Sequence, residues 1–332
     1  MLNAILCGAN LRFIFKTCIF VPILLHRIMN QPNQTLYHLL ALVTVGIWGM
    51  TFISTRVLLN HGFNPQEIFL LRFVMAYVGI WFFSPRKLWC DNWKDEALAL
   101  VLGITGGSLY FVTENTAIHL TLVTNVAFIV CTAPLLTALL AWAVRRYRRG
   151  GSLADGEEGS SRRLLIGSLM ALVGVALVVF NGSVLLHIHP LGDMLSFSAA
   201  LCWAIYSVIL QEIGHRYNMI FLTRKIFFYG LLTILPFFLI HPWSVSWEQF
   251  SPPAVWFNLL FLGVFASLVC FYVWNVVLRR LGAVSSSNYL YLNPLFTFVG
   301  SMLFLDEPVS LMALLGVALV LCGIYISERR NK

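Results

Sequence analysis

Three ionisable residues stand where charge is expensive. Glu114, in Val112-Thr113-Glu114-Asn115-Thr116, Arg72 and Arg56 each interrupt a long apolar run. An ionisable group at the centre of a bilayer costs at least about 2.5–3.5 kcal/mol on insertion scales, and it usually faces a cavity or a partner. Glu114 and Arg72 are therefore candidates for a pair lining a central cavity. Either could hold a charged group of a solute, and Glu114 could take up a driving proton. The competing reading is a structural ion pair between helices. Arg56 lies near the end of its run and is expected to snorkel to the surface.

Polar and aromatic residues suggest further contacts. Asn115 and Asn275 fit either a solute contact or interhelical hydrogen bonding, and Asn293 precedes Pro294. Pro134 and Pro294 each lie inside an apolar run, where a proline bends a helix and frees a carbonyl; they are candidate hinges and cavity shapers. Trp48, Trp203, Tyr206, Trp274 and Tyr291 could wall a cavity that stacks on ring-containing or aliphatic solutes. Trp81, Trp89, Trp93, Trp243 and Trp247 fall at the ends of runs, as interfacial anchors do. Gly103, Gly107, Gly263 and Ser267 fit small-xxx-small helix packing.

Enzyme chemistry finds little support. The chain has no HExxH, no GxSxG and no GxxxxGK[ST] phosphate loop, which argues against metalloprotease, hydrolase and nucleotide-driven pump readings. The eight histidines are dispersed, and the close pair His187 and His189 makes a poor metal site alone. None of the seven cysteines falls in an expected external loop, and no CxxC is present. No catalytic residue, metal or cofactor is expected.

The elements that position these residues follow from composition. Of 332 residues, 59% are apolar and 11% charged, with a mean hydropathy of +0.82. Soluble domains run near 45–50% apolar and about 25% charged, so the lipid bilayer is the expected environment. Apolar runs occur at 36–59, 68–83, 97–118, 122–144, 164–180, 194–210, 226–240, 254–278, 283–305 and 311–327. All lie near helical spanning length, and none alternates like a barrel strand. With the amino terminus cytoplasmic, 20 of the 22 basic residues fall on inner segments, Arg216, Arg224 and Lys225 among them. That bias predicts ten spans with both ends inside, and it accounts for the net charge of +8 without a nucleic-acid partner. Residues 1–35 form an N-terminal cytoplasmic segment and 328–332 a tail. Met29 is an alternative start, so residues 1–28 are expected to lie outside the folded unit or to be absent from the natural product.

The chain also repeats. A shift of 160 places Leu102-Gly103 on Leu262-Gly263, Phe111 on Phe271, Asn115 on Asn275 and Pro134-Leu135 on Pro294-Leu295. Smaller shifts align Trp48 with Trp203, Arg72 with Arg224, Gly167 with Gly316 and Gly174 with Gly323. The repeats are 36–180 and 192–327, with a basic and acidic linker at 145–163. Five spans per copy is odd, so the second copy must enter from the opposite side. The expected fold is an all-α polytopic membrane protein of ten transmembrane helices in two inverted five-helix repeats. Such folds place a solute site between the halves and expose it alternately.

Trp48-Gly49-Met50-Thr51-Phe52 resembles the WGxxF pattern of the EamA-type family of the drug/metabolite transporter superfamily. Leu71-Arg72-Phe73, Asn293-Pro294-Leu295-Phe296, and Glu307-Pro308 followed by Leu315-Gly316 and Gly323 are similar to it too. The resemblance spans about 36–327. It implies a secondary carrier moving a small metabolite outward, such as an amino acid or related amphiphile, in the cell membrane (the inner membrane of a bacterium). An importer or exchanger of a nucleotide- or sugar-derived solute is the alternative within transport. An intramembrane enzyme and a non-transporting receptor are the alternatives outside it. Monomer and homodimer both fit the sequence.

Overall fold

A computed structural model describes residues 34–84, 87–148, 157–180, 189–296 and 311–328. These residues are helical and contain no strand. Apolar chain in lipid must satisfy its backbone polar groups internally, which a helix does residue by residue. Numbered along the chain, the helices are α1 (Gln34–Asn60), α2 (Pro65–Trp81), α3 (Trp93–Leu120) and α4 (Val123–Val130 and Ala133–Arg148). Then come α5 (Glu157–Phe180), α6 (Pro190–Ile213), α7 (Met219–Ile234), α8 (Pro253–Leu281), α9 (Ala283–Asn288, then a 3-10 turn Tyr289–Leu292) and α10 (Leu311–Glu328). Six of the described helical stretches are long and apolar enough to cross a membrane: α1, α3, Asn125–Arg148, α6, Met219–Ile240 and α8.

Local chemistry sets the boundaries. Pro65 opens α2, where its missing N–H costs nothing, and the Glu67 carboxylate accepts from the Asn64 N–H at 2.7 Å. Asn92 begins α3 by accepting from the Asp95 N–H at 2.8 Å, and Asn218 begins α7 by accepting from the Ile220 N–H at 2.8 Å. Gly62 and Gly282, with φ of 84° and 88°, make the turns after α1 and α8 that a side chain would strain.

Several expectations need correction. The seventh apolar run covers 226–240, but the Asn218 cap starts α7 seven residues earlier, at Met219. Arg224 and Lys225 are consequently not loop charges; they lie inside α7 and are buried. The stretch 145–163 is not all linker, because Arg145–Arg148 form the last turn of α4 and 157–163 the start of α5. Pro134 does not bend the interior of a helix. It occupies the first turn of Ala133–Arg148, after a break at Cys131 and Thr132, where proline is tolerated. Pro294 likewise follows the 3-10 turn of α9. Residues 1–33, 85–86, 149–156, 181–188, 297–310 and 329–332 lie outside the described residues, and with them Arg86, most of the N-terminal segment, Asp306-Glu307-Pro308 and most of the tail.

Helix α3 packs on α6 and α7, while α8 packs on α1 and α2. Helices α5 and α10 lie antiparallel along most of their length, because Gly167 meets Gly323 while Gly174 meets Gly316. A Cβ added to Gly174 would fall 2.6 Å from the Gly316 carbonyl oxygen, and one on Gly316 would fall 2.6 Å from that of Gly174. Backbone cannot yield as a flexible side chain does. Gly174→Val is therefore expected to destabilise the protein by about 1–3 kcal/mol, read as a lower melting temperature in detergent. Unchanged melting would contradict this packing.

Candidate functional site

Two helices carry π-helical stretches, and both stretches serve one pocket. Ile104–Ser108 in α3 and Phe261–Val269 in α8 are π-helical, a form that recurs at functional sites. Within the second, the Ala266 carbonyl accepts the Trp48 indole N–H at 3.1 Å, and Ser267 Oγ accepts from Arg72 Nε at 2.8 Å. The first precedes Tyr110, Phe111 and Glu114, which lie along one face of α3.

These side chains enclose a cavity of about 40 Å³. Its walls are Trp48, Thr51 and Phe52 from α1, Arg72 from α2, Tyr110, Phe111 and Glu114 from α3, and Trp203 from α6. The break in α4 contributes Ala127, Val130, Cys131 and Ala133, and α9 contributes Leu290 and Asn293. The two interrupted helices touch where the Cys131 thiol reaches the Leu290 carbonyl at 3.6 Å. Discontinuous helices meeting at a cavity are how carriers present polar groups at membrane depth.

The charges are held separately. Tyr110 Oη donates to Glu114 Oε1 at 2.6 Å. The Arg72 guanidinium lies over the Phe111 ring, 4.3 Å from its centroid, and both residues are at least nine-tenths buried. Among the described residues no direct ion pair joins Arg72 to Glu114. Both side chains line the same pocket. Trp48 stands edge-on to Trp203 at 5.3 Å and 5.1 Å from Trp274, and Trp203 packs 5.1 Å from Tyr110 and from Tyr206. The buried Trp203 indole N–H has no hydrogen-bond partner among the described residues.

Most of the other candidates lie away from the pocket. Asn115 donates to the Pro65 carbonyl at 3.3 Å, with its Oδ1 buried and without a partner among the described residues. Asn275 accepts from Tyr206 Oη and donates to Thr223 Oγ1 at 2.8 Å, so both residues are spent on helix contacts. Tyr291 is buried in α9 but is not among the lining residues. Asn293 lines the pocket and Pro294 follows it. Gly103 and Gly107 approach Gly230, Gly263 approaches Met75, and Ser267 orients Arg72 in addition to packing. Arg56 does not simply reach for water: its guanidinium donates to the Thr121 carbonyl at 2.9 Å. Tyr110 was not foreseen, although its i, i+4 spacing from Glu114 was a readable signal.

A second polar cluster, also unforeseen, joins the start of α3 to α7. Lys225 pairs with Glu96, which also accepts from Tyr229 Oη and from the Cys90 N–H at 2.8 Å. Arg216 pairs with Asp95 at 2.6 Å, and Tyr217 Oη donates to the same carboxylate at 2.8 Å. Burial, then the neighbouring Glu96, pushes the Cys90 thiol up to about 12, which leaves it unreactive near neutrality. Among the described residues no group of three His, Cys, Asp or Glu side chains could hold a metal ion.

Known proteins resemble this chain over most of its length. A transporter from Archaeoglobus fulgidus of unassigned substrate is 26% identical over 298 residues, covering 89% of this chain and 98% of that protein. An Escherichia coli protein named "Probable amino-acid metabolite efflux pump" is 25% identical over 87% of this chain and 93% of its own length. A "Probable terminal-alkyne amino-acid exporter" from Streptantibioticus cattleyicolor is 25% identical, over 87% and 92% respectively. One solved crystal structure shares the fold at a TM-score of 0.67 and 16% identity, covering 89% of this chain and 98% of that one. The EamA-like transporter family matches residues 35–152 and 190–328. These relatives point to a transport role, and the chain is a multi-pass membrane protein that belongs to the EamA-like transporter family.

Proposed function

We propose that the protein is a secondary active carrier exporting an amino acid or related small amphiphile by alternating access through the Glu114–Arg72 pocket. The observation that carries this reading is the pocket itself: an acid and a base, both buried, held apart by Tyr110, Phe111 and Ser267 among indole rings. Opposite charges lining one pocket suit a solute bearing both an ammonium and a carboxylate. The names of two relatives supply the solute class and the outward direction. A cavity of about 40 Å³ admits water but no metabolite, since ligand sites usually exceed about 300 Å³. Its walls must part for a solute to enter.

We further propose ten spans in two inverted repeats, 36–180 and 192–327, with both ends cytoplasmic in the cell membrane. Several features support this. The π segment 104–108, moved by the repeat interval of 160, falls inside 261–269. The contacts α3–α6 and α3–α7 have the counterparts α8–α1 and α8–α2. If Gly167 corresponds to Gly316 and Gly174 to Gly323, the antiparallel glycine contacts map onto themselves, as a twofold axis requires.

The test is flux in proteoliposomes supplied with a mixed amino-acid pool, with and without a pH gradient. The expected result is protein-dependent passage of unaltered solute, quickened when protons run against it. Flux indifferent to the gradient would remove the proton from the mechanism. A chemically changed solute would favour an enzyme.

A further inference from the structure

We infer that the groove between α4 and α5 is a binding site for one anionic phospholipid. The groove has a volume of about 170 Å³ and is lined by Leu135, Leu139, Trp142, Arg145, Leu164 and Leu165, together with Ala138. Every lining residue except the arginine carries an apolar or aromatic surface. Leu139 and Leu165 are 48% and 44% exposed, so the groove opens on the outside of the helix bundle, away from the Glu114 pocket. A groove of this composition on a membrane-spanning surface faces acyl chains.

Length and charge select the ligand. Leu135 and Arg145 are ten residues apart on one helix, a rise of about 15 Å at 1.5 Å per residue. That is half of the roughly 30 Å hydrocarbon core, the depth of a single leaflet. A chain lying along the groove with its methyl end near Leu135 brings its headgroup to Arg145. There the α4 terminus offers two exposed guanidinium groups. Arg146 lies 5.2 Å from the Trp142 ring, beside the groove. Among the described residues neither Arg145 nor Arg146 has an ion-pair partner, whereas the next arginine, Arg148, is paired with Glu212 at 2.7 Å. Arginine presents a planar fork that matches phosphate oxygens in a bidentate way, and Trp142, one turn before Arg146 at the basic end of the helix, is of the residue type that favours the membrane interface. A basic pocket between helices, above a lipid-facing groove, fits an anionic headgroup. A neutral or zwitterionic lipid would fill the groove but leave both cations unmatched.

Native mass spectrometry of the delipidated full-length protein, titrated with dioleoylphosphatidylglycerol or dioleoylphosphatidylcholine, tests the site. The wild type is expected to retain one phosphatidylglycerol in preference to phosphatidylcholine. Arg145→Gln with Arg146→Gln should weaken that retention about thirtyfold, taking each arginine at the usual surface contribution. Leu139→Trp, which fills the groove and keeps both charges, should also lose it. Lys94→Gln, which removes an exposed charge elsewhere, should not. Equal retention of the two lipids by the wild type, or undiminished retention by the double variant, would overturn the site. Full retention in Leu139→Trp would overturn the placement of the acyl chain.

Discussion

Lys225→Met is expected to destabilise the protein by about 3–5 kcal/mol, because it strands a buried carboxylate. Lys225 and Glu96 are 4% and 8% exposed and form an ion pair joining α7 to the start of α3. The ammonium also donates to the Leu88 carbonyl at 3.2 Å and lies 4.7 Å from the Trp89 ring centroid and 4.6 Å from that of Tyr229. Without it, Glu96 keeps the Tyr229 hydroxyl and the Cys90 N–H but no countercharge. In Glu96→Gln the amide oxygen can keep the Cys90 N–H while the amide N–H donates to Tyr229 Oη, whose hydroxyl turns to accept, so Glu96→Gln with Lys225→Met should recover most of the loss. Thermal unfolding in detergent reads both variants. A single variant as stable as the wild type, or a double variant no better than the single, would contradict the assignment.

Glu114→Gln is expected to lower transport about ten- to hundredfold, the range set by losing a charged hydrogen bond of about 1.5–3 kcal/mol. Its amide oxygen can still accept from Tyr110 Oη, so helix packing, insertion and melting should change little. Transport rates in proteoliposomes, compared at equal incorporated protein, supply the measurement. Full activity would take Glu114 out of the mechanism. Arg72 makes a different demand on its replacement. A lysine cannot lie flat on Phe111 and give a directed N–H to Ser267 as the guanidinium does.

The placement of Glu114 and Arg72 in one pocket was legible because a charge in an apolar run has few places to go. Trp48 and Trp203 were legible because a shift of the sequence on itself sets one on the other, and both line the same pocket. The polar residues beside them were not. Each step along a helix turns the side chain by about 100°, and in helices apolar on every face nothing in the pattern tells which side looks inward. Asn115 follows Glu114 directly and is turned to the Pro65 carbonyl instead. Tyr206 and Asn275 satisfy each other and Thr223. Lys225 was hidden for another reason: a count of positive charges by loop treats every cation as solvated. Glu96 lies far away in sequence and meets Lys225 only when α3 packs on α7. Ser267 fitted a packing motif, and the wide turn that lets it reach Arg72 leaves no mark in residue spacing.

Solute counterflow tests the central claim most directly, because it needs a site that faces both sides in turn and no ion gradient, the preloaded solute alone driving the exchange. Proteoliposomes preloaded with an unlabelled amino-acid mixture are diluted into a trace of labelled solute. Alternating access predicts transient accumulation of label, unaltered, that depends on the protein and falls sharply in Glu114→Gln. No accumulation above protein-free vesicles for any amino acid tried, or accumulation undiminished by Glu114→Gln, would contradict an amino-acid carrier working through this pocket.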